Sequence, residues 1–175
     1  MILSAQAIQQ AQLDGRIDID PFDASNLNPN SYNFRLGPTI LQSCMNASVG
    51  LAFERVDLPP DGFVLLPKTL YLAATLEIIG STDYAITLLG RSSLGRLGLF
   101  LNITADLGHV GTLSQWTLEL SVVQPLRVYS GMRIGQVAFW KAYGKTRRYC
   151  GRYHQDLGPI PSKHSFEKVE SGVLS

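Results

Sequence analysis

The stretch Tyr84-Ala-Ile-Thr-Leu-Leu-Gly-Arg-Ser-Ser-Leu-Gly-Arg-Leu-Gly-Leu99 joins an apolar run to a loop rich in glycine, hydroxyl groups and guanidinium groups. Glycine lets the backbone approach a ligand closely, because it has no Cβ and tolerates positive φ angles. Ser92 and Ser93 offer short hydroxyl donors, and Arg91 and Arg96 offer planar groups that match phosphate oxygens. The loop lies between two predicted strands and lacks the Lys-Ser/Thr ending of a P-loop, so it is not that motif. Read alone, it could also be a simple turn.

Short apolar runs separated by turn residues lie on both sides of this stretch and predict a protein built mainly of β-strands. The predicted strands are Ile17–Asp20, Ser31–Leu36, Phe63–Leu66, Thr69–Leu76, Tyr84–Leu89, Leu99–Ile103, Gln115–Val122, Leu126–Val128 and Ile134–Trp140. Ser4 can cap a short helix from Ala5 to about Asp14, which Gly15 would end. Residues Thr39–Leu58 carry a weak signal, and we expect a loop-rich segment there.

The chain has 175 residues, of which 45% are hydrophobic and 17% charged, with a net charge of +1, and this suits one domain with a full core. Because this charge gives no broad basic field, we do not expect a DNA or RNA duplex as partner. Cys44 and Cys150 are far apart, which favours a reducing, cytoplasmic location over a disulfide framework or a zinc pair. His154 and His164 are expected to be exposed tail residues. Neither a signal peptide nor a membrane-spanning apolar run is expected from the sequence.

The segment Thr117-Leu-Glu-Leu120 places one carboxylate inside an apolar, strand-like run. Strand alternation puts Glu119 on the same face as Thr117. A single acid on a strand can simply face solvent. If it instead lies beside a ligand, burial would favour the protonated carboxyl group and suit Glu119 to general acid–base catalysis.

The loop Gly90–Leu99, followed downstream by Thr117–Leu120, resembles the deoxycytidine triphosphate (dCTP) deaminase family, within the dUTP pyrophosphatase superfamily. Other segments that resemble the family are Met1–Ser4, Ile19–Asp23, Asn28–Gly37, Leu72–Glu77, Ser130–Gln136, Gly151–Tyr153 and Gly158–Pro159. The resemblance implies an all-β fold, a distorted jelly roll or β-barrel with a short N-terminal helix, assembled as a homotrimer. It also implies a single domain over residues 1–158 and a partly flexible C-terminal flap over residues 159–175.

The resemblance further implies an enzyme that hydrolyses dCTP, or a close analogue, to dUTP and ammonia, with Glu119 as the acid/base. The implied substrate-binding residues are Arg91, Ser92, Ser93 and Arg96 for the triphosphate, Ala105, His109 and Thr117 for the base and sugar, and Tyr149, Arg152 and Tyr153, which would close over the base and phosphates. Arg96 would reach the site at a subunit boundary. Mg²⁺ is implied on the triphosphate, carried by phosphate oxygens and water rather than by a protein cage. The zinc deaminase signature H-x-E … P-C-x-x-C is absent, so we expect no zinc.

Several positions depart from the family pattern. The departures are His109 and Asn33 in place of Asp, Leu107 in place of Arg, Thr112 in place of an aromatic residue, and Asp156 at or next to a Gln. In the pyrophosphatase branch the Asp at position 109 serves the attacking water, so dUTP hydrolysis is expected to be weakened, unless a local gap makes Asp106 the equivalent. Two alternatives to a deaminase stay open: a dUTP pyrophosphatase or bifunctional enzyme, and a non-catalytic or modified-nucleotide-binding homologue.

Overall fold

The computed structural model describes residues 1–46, 50–102, 105–153 and 155–163. These residues form two α-helices, α1 (Ala5–Leu13) and α2 (Ser92–Gly95), and a 3-10 helix over Ala24–Asn26. The strands are β1 (Ile17–Asp20), β2 (Leu27–Asn28), β3 (Ser31–Arg35), β4 (Thr39–Asn46), β5 (Gly50–Asp57), β6 (Phe63–Leu65), β7 (Tyr71–Ala74), β8 (Ile78–Ser81), β9 (Tyr84–Gly90), β10 (Leu99–Leu101), β11 (Leu107–Gly108), β12 (Leu113–Ser114), β13 (Thr117–Val122), β14 (Leu126–Val128) and β15 (Arg133–Lys141). The predictions made for Ile103, His154, His164 and the tail beyond residue 163 lie outside the described residues.

The strands form two five-stranded sheets and two smaller sheets, and the pairings in the described residues are antiparallel. One large sheet has the order β10-β13-β7-β4-β5, and the other has the order β11-β9-β15-β3-β2. The smaller sheets are β1-β8-β12 and β14-β6. The predicted all-β fold class is therefore confirmed, with jelly-roll-like sheets and a short N-terminal helix.

Both large sheets contribute to one hydrophobic core. Phe34 and Phe139 enter it from one sheet, Tyr71 and Leu118 enter it from the other, and all four are fully buried. Burying a side chain of this size stabilises the fold by roughly 1.5–3 kcal/mol relative to leaving it exposed. The core therefore fixes which face of each strand points inward and which face is left for a site.

Helix α1 begins and ends close to its predicted limits. The Ser4 side chain accepts a hydrogen bond from the Ala7 N–H at 3.4 Å, and Gly15 follows the helix with φ +68°. Ile8 and Ala11 on the inner face are fully buried in the core. In the described part of the chain, no helix is long and apolar enough to cross a membrane.

The prediction of a loop-rich segment over Thr39–Leu58 is wrong. Strands β4 and β5 form a long hairpin there, in register from Thr39 opposite Asp57 to Asn46 opposite Gly50. The small and polar residues of this segment weaken the apolar alternation, but β4 is held from its other edge by β7. Pairing between strands distant in sequence overrides a weak local preference.

Strand β8 and helix α2 were also not predicted. β8 is only four residues long and lies between β1 and β12. Its Gly80 packs so closely on β12 that a Cβ there would lie 2.4 Å from the Thr112 carbonyl oxygen. The glycine that weakens the strand signal in the sequence is therefore required by tertiary packing.

Candidate active site

Strand β13 carries the predicted acid/base residue. Leu118 and Leu120 point into the core and are fully buried, whereas Thr117 and Glu119 are half-buried on the opposite face. Opposite Glu119, on the neighbouring strand β7, lies Leu72. The expectation that Glu119 and Thr117 share a strand face is therefore confirmed.

That face forms one wall of a cavity of about 720 Å³. Six predicted site residues line the cavity together: Ala105, His109, Thr117, Glu119, Tyr149 and Tyr153. The rest of the wall is largely apolar and includes Leu51, Phe53, Leu70, Leu72, Leu107 and Trp116. An apolar cavity with a few convergent polar groups is the usual form of a small-molecule site.

The predicted phosphate loop does not line the cavity that contains Glu119. Arg91, Ser92 and Ser93 line a second, polar pocket of about 190 Å³. Gly98 ends this loop at φ +86°, a backbone conformation that glycine adopts without strain. Within one chain, the structure does not bring the predicted phosphate ligands to the cavity that contains Glu119.

The rest of the polar pocket consists of amide side chains that sequence reasoning did not select as ligands. They come from Asn28, Asn33 and Gln136. Gln136 accepts a hydrogen bond from the Ser31 hydroxyl at 2.7 Å, and its Nε2 donates to the Gly90 carbonyl at 3.2 Å. Asn33 is buried and donates to the Asn26 carbonyl and to Asn28 Oδ1. These bonds tie the start of the phosphate loop to β15 and β3.

Arg96 and Arg152 lie outside both pockets. Arg96 follows helix α2 and is exposed. The Arg152 guanidinium is also exposed and donates to the Lys163 carbonyl at 3.1 Å. Within a single chain the structure therefore brings neither guanidinium to the lining of these two pockets.

His109 lies at the exposed rim of the Glu119 cavity. Its ring centroid is 5.3 Å from that of Tyr149, and the two planes are tilted by 32°. The Tyr149 N–H also donates to the Val110 carbonyl at 2.8 Å, which holds the two rings together. Among the described residues His109, and not Asp106, lines the cavity. At position 109, where the family resemblance leads us to expect Asp, the cavity therefore has an imidazole in contact with a phenol ring.

The C-terminal segment covers one side of the cavity, and Ile160, Pro161 and Ser162 contribute to its lining. Gln115 anchors this segment: its N–H donates to the Asp156 carbonyl at 3.1 Å, and its Oε1 accepts from the Gly158 N–H at 2.8 Å. The Ile160 N–H donates to the Thr117 hydroxyl at 3.1 Å. Residues 156–163 are thus bonded to the beginning of β13 although they form no helix or strand.

Lys163, at the end of the described C-terminal segment, bonds back to Arg152 and Asp156. Its ammonium group contacts both carboxylate oxygens of Asp156, at 2.8 and 2.9 Å, and donates to the Arg152 carbonyl at 2.9 Å. It also lies 5.0 Å from the centroid of the Tyr153 ring. Sequence reasoning missed Lys163 and Gln115, because their roles depend on partners that the sequence pattern does not reveal.

Asn102 is a further cavity residue that was not predicted. It is buried, has a left-handed backbone conformation with φ +45°, and is hydrogen-bonded to the backbone of Glu119. An isolated asparagine directly after a short strand carries no distinctive pattern in the sequence.

With this geometry in place, comparison with known proteins defines the class. The family model described as dCTP deaminase-like matches residues 2–142, so the chain belongs to the dCTP deaminase-like family.

Particular relatives give a narrower comparison. The chain is 42% identical over 163 residues to a dCTP deaminase of Rhodopirellula baltica, covering 91% of this chain and 82% of the relative. It is 39% identical over 166 residues to a "dCTP deaminase, dUMP-forming" of Clostridium acetobutylicum, covering 93% of this chain and 95% of the relative.

A solved structure is also similar. The 2'-deoxycytidine 5'-triphosphate deaminase of Agrobacterium tumefaciens superimposes with a TM-score of 0.65 and 24% identity, over 81% of this chain. The match spans 48% of that solved chain, so this chain corresponds to about half of its length. This likeness supports the fold.

Proposed function

We propose that the protein is a dCTP deaminase that converts dCTP and water to dUTP and ammonia. The observation that carries this proposal is the position of Glu119, half-buried beside Thr117 in the largely apolar cavity of a dCTP deaminase-like chain. A carboxylate there can take a proton from the water that attacks C4 of the cytosine. The same group can then return the proton to the departing ammonia.

The cavity walls support the binding of a flat pyrimidine. Leu72 offers apolar surface opposite Glu119, and Phe53 lines the same cavity from β5. Trp116 is held in place by a 2.9 Å hydrogen bond from its Nε1 to the Ile79 carbonyl. Backbone groups near Ala105 and Thr117 are proposed to read the polar edge of the base. Excluding water around the carboxylate strengthens its interaction with the reacting ring.

A second copy of the chain is proposed to supply the phosphate ligands. Arg91, Ser92 and Ser93 lie in a separate pocket, so the proposed site is completed only when another subunit brings its loop to the Glu119 cavity. Strand register places Met45, Leu51 and Phe100 on the same sheet face as Glu119, where they are 83%, 46% and 44% exposed. An exposed apolar face of this kind is typical of a subunit interface. We propose the homotrimer that the family resemblance implies.

Mg²⁺ is proposed to arrive with the triphosphate. The side chains that line the polar pocket are amides, hydroxyls and one guanidinium, and the described residues contain no cluster of His, Cys, Asp and Glu suited to a metal ion. This donor set fits phosphate oxygens and can hold a metal–triphosphate complex by its phosphates. The ion would supply charge neutralisation on the triphosphate.

The free cysteines Cys44 and Cys150 support a cytoplasmic location.

The direct test is to incubate the purified protein with dCTP and Mg²⁺ and to measure ammonia and the nucleotide product. Glu119→Gln should abolish ammonia release, whereas Glu54→Gln, an exposed acid on β5, should leave it unchanged. Full activity in Glu119→Gln would refute the role of this carboxylate. Tight dCTP binding by the wild-type protein without product would instead identify a non-catalytic homologue.

Subunit sharing has its own test. Glu119→Gln and the triple variant Arg91→Ala/Ser92→Ala/Ser93→Ala should each be inactive alone. Oligomers reassembled from an equal mixture should regain about a quarter of the wild-type activity, because about one site in four combines an intact Glu119 with an intact loop. No recovery in verified mixed oligomers would show that both groups must come from one chain.

Formation of dUMP is the second candidate activity, because relatives such as that of Clostridium acetobutylicum are described as dUMP-forming. The cavity lining contains two carboxylates, Glu119 and Asp156, and Asp156 is paired with Lys163. His109 lies at the rim where the family usually has Asp. We therefore propose dUTP as the main product, and rapid pyrophosphate release during dCTP turnover would overturn this choice.

A further inference from the structure

Along the edge of β13 that faces β10, the hydrogen-bond partner changes beside Glu119. Strand β10 pairs with β13 from Leu99 opposite Val122 to Leu101 opposite Leu120, and the regular pairing then ends. The next residue, Asn102, lies opposite Glu119. Ala105, three residues further along the sequence, lines the same cavity.

Asn102 continues the hydrogen bonding of the sheet with its side chain. Its backbone N–H donates to the Glu119 carbonyl at 3.0 Å, and its Oδ1 accepts from the Glu119 N–H at 2.9 Å. Its Nδ2 donates to the Thr117 carbonyl, at a longer distance of 3.4 Å. One residue therefore bonds to the backbone of both polar residues on the cavity wall.

The identity of the residue follows from this geometry. At φ +45° asparagine is among the few residues other than glycine that are readily accommodated. Because one neighbour is a backbone N–H and the other is a carbonyl, the side chain must offer an acceptor and a donor, and an amide does both. Asn102 is also buried, at 7% exposure, so water competes little for these bonds.

We infer that Asn102 is a positioning residue. By holding the backbone of Glu119 and Thr117, it fixes the Glu119 carboxylate and the Thr117 backbone groups relative to the pyrimidine ring bound in the cavity. This inference rests on the proposed deaminase function. Small displacements of a catalytic group can lower the rate by about a hundredfold. Loss of Asn102 should therefore lower kcat much more than it changes the KM for dCTP.

Two variants separate the bonds that Asn102 makes. Asn102→Gly keeps the left-handed backbone conformation and removes both side-chain bonds. Asn102→Asp keeps the acceptor for the Glu119 N–H. It replaces the Nδ2 donor by a carboxylate oxygen, which cannot donate to the Thr117 carbonyl. Ser121→Ala, on the same face of β13 but outside the cavity lining, is the matched control.

The first measurement does not depend on activity. In Asn102→Gly, amide hydrogen exchange followed by NMR should be about tenfold faster at Glu119 and unchanged at Leu118, whose N–H points to the opposite strand edge. In Asn102→Asp the Glu119 amide should stay protected. Unchanged exchange at Glu119 in Asn102→Gly would overturn the inference whether or not the protein deaminates dCTP.

The second measurement is steady-state deamination of dCTP. We expect kcat to fall by about tenfold to a hundredfold in Asn102→Gly, with KM changed by less than about threefold and with normal activity in Ser121→Ala. An inactive wild-type protein would refute the proposed function and leave the exchange result to decide the role of Asn102. An active wild-type protein with an equally active Asn102→Gly variant would refute the positioning role.

Discussion

Replacing Glu77 tests the contribution of an ion pair to stability. The pair joins Arg35, at the end of β3 in one large sheet, to Glu77, which follows β7 in the other. The Glu77 side chain is fully buried, and its two oxygens accept from Arg35 Nε at 2.6 Å and from the Arg35 backbone N–H at 2.9 Å. The hydrogen bond that the Arg35 guanidinium donates to the Glu77 carboxylate raises the pKa of Arg35 above its usual value, so the guanidinium stays charged at neutral pH. Next to it, the Leu76 carbonyl accepts from Gln115 Nε2 at 3.1 Å.

The expected cost follows from this geometry. In Glu77→Gln one oxygen becomes an amide NH₂ that faces one of the two Arg35 donors, and the negative charge is lost. Breaking a buried pair typically costs about 3–5 kcal/mol, and because the Arg35 side chain is 26% exposed, hydration should hold the cost near 3 kcal/mol. For a domain of this size that corresponds to a fall in Tm of roughly 6–12 °C.

Thermal unfolding followed by circular dichroism, at one fixed protein concentration, provides the measurement. Asp57→Asn is the matched control, because the Arg55–Asp57 pair has side chains that are 68% and 73% exposed and should contribute little. A Tm for Glu77→Gln that falls no further than that of Asp57→Asn would refute the reasoning. It would mean that the Arg35 charge is hydrated well enough without its partner.

Three further predictions concern the phosphate loop, the C-terminal segment and acid stability. Arg91→Ala should raise the KM for dCTP by about tenfold with little change in kcat, because it removes a charged group that we propose binds the triphosphate. Equal KM values in the variant and the wild-type protein would contradict this. Lys163→Met should speed hydrogen exchange in residues 155–163, measured by mass spectrometry, because it breaks the contacts with Asp156; unchanged exchange there would show that other contacts suffice. The Ser25 N–H lowers the pKa of Asp23 below its ordinary value. The stability from Asp23 should therefore be present at neutral pH and lost as pH falls through that lowered pKa, so the Tm gap between wild type and Asp23→Ala should narrow on acidification. A constant gap would argue against this linkage.

Much of the fold could be predicted because the signals are local. The alternation in β1 and β13, the cap at Ser4 and the turn chemistry between short strands each depend on neighbouring residues. The β4–β5 hairpin could not be predicted from Thr39–Leu58, because its strands are stabilised by pairing with each other and with β7 rather than by their own composition.

In the candidate site too, some features were predicted from the sequence and others became clear only from the structure. The loop at Gly90 and the strand at Thr117 were found from their composition and spacing, and the structure places Thr117 and Glu119 on one cavity wall as expected. Within one chain the loop opens into a different pocket from that of Glu119, and the family resemblance already implies that Arg96 reaches the site at a subunit boundary. The positions of Asn102 and Gln115 depend on contacts with residues that are distant in sequence.

The sequence by itself determined the chemistry available to this protein: a carboxylate on an apolar strand, a loop of serines and arginines, and an imidazole at His109. Tertiary structure alone decided which of these groups meet. The physical reason is that side-chain type and strand alternation are encoded over a few residues. Strand register, burial and the enclosure of a cavity are instead set by packing between segments far apart along the chain.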